Sequence, residues 1–134
     1  MSDGIKKQPA LAFPFESCFQ RAAKAHQLPL VLLLAVARGE SDFEAEAVSP
    51  ASAYGLMQIQ WPGTAQHLGS SRLRELYDPC TNVDAGARYL KELLRRYGGN
   101  LHRALAAYNY GPARIETNAE QLPQGAQWYS EYIY

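Results

Sequence analysis

The sequence predicts an all-α fold, with about seven short helices packed around one buried central helix. Three observations carry that expectation. Residues 30–37 form an unbroken apolar run, too short for a bilayer, which needs ~20 residues. A run of that length suits a helix enclosed on nearly all sides by a small domain. Several other stretches place apolar residues at helical spacing. No stretch of useful length alternates apolar with polar residues, and no internal repeat occurs.

Residues 1–14 hold Gly4, Pro9 and Pro14 without a period and read as a loose arm. Residues 15–134 read as a single domain. Phe15, Cys18, Phe19, Ala22 and Ala23 recur on one face of a first helix, over 15–26. Pro29 suits the opening of the second, over 30–41. Residues 42–54 should be loop, because Pro50 biases Ser49 away from helix. Residues 55–58 and 62–68 read as two short helical pieces, with Pro62 opening the second. After a break at 69–71 come a helical turn over 72–76 and a turn over 77–79. The clearest later helix covers 82–97, with Val83, Ala87, Leu90 and Leu94 on its apolar face and Gly98-Gly99 ending it. Asn100 should cap a helix over 101–108. A short helix over 113–118 and a last one over 127–134, packing Trp128 and Ile133, complete the reading.

The 134 residues suffice for one domain with one core, and 47% hydrophobic with 19% charged residues is a globular composition. Thirteen basic residues balance thirteen acidic ones, which argues against a nucleic-acid binder. The charges over 72–103 alternate in sign, as on a solvated helix surface. No span fits a transmembrane helix. His26, His67 and His102 are scattered and no C-x-x-C occurs, so neither a zinc site nor another cofactor is expected. The acidic run Asp42, Glu44, Glu46 lacks the glycine and the final glutamate of a calcium loop. Cys18 and Cys80 permit one disulfide in an oxidising compartment; two buried thiols are the alternative. Residues 1–14 contain no apolar core of a secretory leader. A protein working outside the cytoplasm would therefore have lost or replaced its signal, be one domain of a larger protein, or use another export route.

Glu40 is the acid that the sequence singles out. Val36 and Ala37 precede it by one helical turn, so its carboxylate leaves an apolar helix end. Desolvation there favours the protonated form, which a general acid requires. Glu75, Asp78, Asp84 and Glu92 read as surface charges.

Glu40-Ser41, Ser49, Gly55-Leu56-Met57-Gln58 and Ala107-Tyr108-Asn109, in that order, resemble the lytic transglycosylases of the soluble (SLT) type. The resemblance extends over 15–132. It implies a lysozyme-like fold and cleavage of peptidoglycan glycan strands, at the β-1,4 bond between N-acetylmuramic acid and N-acetylglucosamine. It implies that Glu40 acts first as acid and then as base, with the sugar's 2-acetamido group assisting at the anomeric carbon. Ser49 matches the serine near that group, and Met57 and Gln58 match a pair lining the cleft. Tyr108 offers a ring face and a hydroxyl for the acid or the sugar, with Asn109 beside it. Tyr129 resembles a late cleft tyrosine. A monomer in the periplasm or cell envelope follows, with a secretion or pilus machine as a conceivable partner.

The sequence departs from the family pattern at Gly39, at Ser52 and at 60–62, where a segment is one residue longer. Two other readings stay open: a goose-type lysozyme relative that hydrolyses the same bond, and a glycan-binding module without turnover. Residues 47–73 contain no Asp or Glu to activate water. Asp42 would point about 200° around the helix from Glu40. The sequence therefore favours a 1,6-anhydro product over hydrolysis.

Overall fold

The computed structural model describes residues 13–117. Six α-helices and one 3₁₀ helix appear among them: α1 (Glu16–His26), α2 (Leu30–Ser41), α3 (Gly63–His67), the 3₁₀ helix (Leu73–Tyr77), α4 (Pro79–Arg96), α5 (Leu101–Tyr110) and α6 (Pro112–Thr117). Between α2 and α3 lies a small antiparallel pair, β1 (Ala53–Tyr54) and β2 (Ile59–Gln60), in which Ala53 faces Gln60 and Tyr54 faces Ile59. The helix expected over 127–134, with Trp128 and Ile133, lies outside the described residues.

α1 buries Cys18, Phe19, Ala22 and Ala23, the periodic face that the sequence displays. Phe15 stands just before it, exposed, with a left-handed backbone (φ 59°). The apolar run of α2 is not enclosed on nearly all sides. Leu33, Val36 and Ala37 are buried, whereas Val31 is 72% exposed. A helix turns a different residue outward every 100°, so α2 keeps an exposed side at Val31 although Leu30, Leu32 and Leu34 also pack partly on the core.

The helix with packing on most sides is α4. It meets α1, α5, the 3₁₀ helix and β2. Asn82, Val83, Ala85, Gly86, Ala87, Leu90 and Leu93 are buried along it. α4 starts at Pro79, three residues before the expected boundary. The Asp78 side chain accepts from the Thr81 N–H at 2.9 Å, and Pro79 takes a first-turn position where no donor is missed. Asn100 caps α5 in the same manner, accepting from the Arg103 N–H at 3.0 Å.

Residues 55–58 form a turn between β1 and β2, not the short helix expected. Gly55 (φ 81°) and Gln58 (φ 53°) are both left-handed, which a right-handed helix cannot contain. A disulfide joins Cys18 of α1 to Cys80 in the first turn of α4, with the Cα atoms 4.7 Å apart.

Candidate active site

The site begins with the last turn of α2. Glu40 is half-buried there, one turn beyond the fully enclosed Val36 and Ala37. It borders a cleft of about 380 Å³ that Ser49, Gln58, Tyr89, Tyr108 and Asn109 also line. The Asn109 amide donates to a Glu40 carboxylate oxygen at 3.4 Å. Among the described residues lining this cleft, Glu40 is the only carboxylate.

Gln58 reaches the cleft from the turn over 55–58, which is held from several elements at once. Ser41, next to Glu40, donates its hydroxyl to the Leu56 carbonyl at 2.7 Å. The Tyr108 hydroxyl donates to the Met57 carbonyl, also at 2.7 Å. The Asn82 side chain accepts from the Met57 N–H at 2.7 Å and donates to the carbonyls of Tyr54 and Leu76. Gly55 allows this approach: a Cβ there would lie 2.2 Å from the Asn82 amide nitrogen.

Several expected site residues take unexpected parts. Met57 does not line the cleft. It is fully buried and packs on Gly86, where an added Cβ would come within 2.5 Å of its own Cβ. The Tyr108 hydroxyl serves the Met57 backbone rather than Glu40. Burial first, then the charges of Glu40 and Tyr89, push that hydroxyl well above the ordinary tyrosine pKa, so it stays a donor at neutral pH. The Ser49 hydroxyl oxygen accepts from the N–H groups of Ala51 and Ala53, shaping the loop while facing the cleft. Gln58 lines the cleft as expected, and its amide donates to the carbonyls of Ala47 and Gly55. Tyr129 lies outside the described residues.

The sequence reading missed Asn82, Gly86 and Tyr89. They sit at helical spacing on one side of α4; Tyr89 lines the cleft, whereas Asn82 and Gly86 lie in the core and do not. Tyr89 lies 5.4 Å, centroid to centroid, from the Tyr108 ring. Burial raises its pKa, with the Glu92 charge adding to the effect. An asparagine among the apolar positions of α4 was the one available signal. Past Thr64 and Tyr89 the cleft continues into a second depression, lined by His67, Glu92 and Arg96, where His67 and Glu92 approach to 2.7 Å. Among the described residues no cluster of three or more His, Cys, Asp or Glu could hold a metal ion. No helix among them is long and apolar enough to cross a membrane.

This arrangement offers one half-buried acid, an amide touching it, and polar side chains that line the same groove. The family profile of the transglycosylase SLT domain matches residues 17–130. The soluble lytic murein transglycosylase of Escherichia coli is 37% identical over 122 residues, which cover 86% of this chain and 18% of that protein. The solved 70 kDa soluble lytic transglycosylase of Escherichia coli superposes with a TM-score of 0.78 at 31% identity, over 89% of this chain and 22% of that one. An inactive mutant of the lytic transglycosylase Slt from Pseudomonas aeruginosa gives 0.79 at 27% identity, over 90% and 22%. This chain thus spans about a fifth of the length of these relatives, and it has their all-α, lysozyme-like fold. The chain belongs to the transglycosylase SLT domain family.

Proposed function

We propose that this chain is a lytic transglycosylase domain, over 15–134, that cleaves the β-1,4 bond after N-acetylmuramic acid and closes a 1,6-anhydro ring on that sugar. The observation that carries the reading is the lone carboxylate: Glu40 faces a polar cleft whose described lining contains no second acid. Inverting hydrolysis needs a second carboxylate ~6.5–9.5 Å away to activate water, and a retaining glycosyl-enzyme needs one at ~5–5.5 Å. One carboxylate can run the reaction only if it gives a proton and takes one back.

Glu40 protonates the departing O4 as the C1–O4 bond breaks. The 2-acetamido oxygen shares the positive charge developing at C1. The sugar's own O6 then attacks C1, and its proton returns to Glu40. No water enters, and the acid ends as it began. Asn109, touching Glu40, orients the carboxyl group. Ser49 and Gln58, which line the same cleft, meet the sugar, and Tyr108 holds the turn that carries Gln58 through its bond to the Met57 carbonyl. Peptidoglycan lies in the cell envelope, so the periplasm or cell envelope is where this activity would be exercised.

Clearance of purified sacculi tests the assignment of the acid. Glu40→Gln keeps the shape of the side chain but has no proton to give. Its rate should fall by at least about 10²–10⁴, the usual worth of general acid catalysis. A variant keeping a tenth of the wild-type rate would remove Glu40 from this role.

A further inference from the structure

We infer that Asn82 is a positioning residue for the reaction: its buried amide sets the place of the Met57 peptide, and through it that of Gln58, which lines the cleft with Glu40. The inference rests on the lytic reading above and adds a residue to it. Asn82 is fully enclosed on α4 and does not line the cleft. Its oxygen accepts from the Met57 N–H at 2.7 Å, and its nitrogen donates to Tyr54 O at 2.9 Å and to Leu76 O at 2.8 Å. Both amide protons and one oxygen lone pair are thereby used, each on backbone. A buried side chain that bonds only to backbone groups of other segments fixes where those segments run.

The segment that it fixes is also tied to the ends of α2 and α5 that carry Glu40 and Asn109. Leu56 O receives the hydroxyl of Ser41, the residue after Glu40, and Met57 O receives the hydroxyl of Tyr108, the residue before Asn109. The Asn109 amide in turn touches Glu40. Around two adjacent residues, α2, α4 and α5 each contribute one 2.7 Å bond. Gln58, next along the chain, keeps a left-handed backbone (φ 53°) and so depends on its neighbours for its direction into the cleft. Gly86 completes the support by letting Met57 lie directly on α4.

Loss of the Asn82 contacts should therefore act on turnover, since a misplacement of about 1 Å near the reacting groups can cost about 10²-fold. Asn82→Asp removes a donor within the same shape; Asn82→Ser, neutral and smaller, replaces it if the aspartate variant does not fold. Gly86→Ala pushes on Met57 from α4 while leaving Asn82 in place. Phe19→Leu, in the α1 core, serves as a destabilised control. Each would be assayed on soluble uncrosslinked glycan strands, at a temperature where circular dichroism shows it folded. The expected result is kcat lower by about 10-fold or more in the Asn82 and Gly86 variants, with KM little changed and the control near wild type. Wild-type kcat in a folded Asn82 variant would overturn the inference and leave the lytic reading standing. A wild type without anhydro products would overturn that reading first.

Discussion

The hydroxyl of Tyr108 donates to the backbone carbonyl of Met57 at 2.7 Å, across 51 residues of sequence. This bond ties the end of α5, which carries Asn109 to Glu40, to the turn from which Gln58 reaches the cleft. It also gives an aromatic residue at the cleft a structural duty that its position beside the acid would conceal.

Tyr108→Phe should therefore cost both stability and rate. Removing one partner of an enclosed hydrogen bond typically costs about 1–3 kcal/mol, to be read from urea denaturation. The pH dependence follows from the raised pKa. The folded protein keeps the Tyr108 proton above the ordinary value of 10.0, whereas the unfolded chain releases it there. The unfolded state then binds fewer protons, so stability falls as pH rises past that value. Tyr108 thus contributes its full stabilisation below about pH 10 and loses it progressively as pH climbs toward the folded value. Tyr108→Phe should show a smaller loss over that alkaline range than wild type.

The link between Cys18 and Cys80 closes a sequence separation of 62 residues. Restricting the unfolded chain over a loop of that size is worth about 4 kcal/mol in the chain-entropy model. Protein prepared under oxidising conditions should show no free thiol when denatured without reductant. Cys80→Ser should unfold at markedly lower denaturant concentration. Two titratable thiols in the wild type would contradict the bridge.

What the sequence made legible is what local chemistry decides. The periodic face of α1, the Asn100 cap of α5, and Glu40 at the end of an apolar helix each depend on residues within a few positions. Misjudged features depend on distant partners. The turn over 55–58 looks helical until Ser41, Asn82 and Tyr108 claim its backbone groups. Met57 reads as a cleft residue until Gly86 opens space for it in the core. Asn82 stands out only as a polar residue among the apolar positions of α4, and its role stays hidden because its three partners lie 6, 25 and 28 residues away. The run over 30–37 announces burial but not which neighbours cover it, and Val31 faces outward. The start of α4 is marked by Asp78-Pro79, a cap followed by a proline, a pair whose local pattern fits a turn equally well.

On the proposed mechanism one carboxylate, Glu40, serves as acid and base, so that the sugar's O6 rather than water captures C1. Mass spectrometry of unreduced muropeptides from digested sacculi tests it most directly. A majority of products should be lighter by one water, carrying a 1,6-anhydro ring on N-acetylmuramic acid and no reducing end. A majority of reducing-end muropeptides would contradict it and would place a water-activating base, with Asp42 and Glu46 the first to examine, beside Glu40.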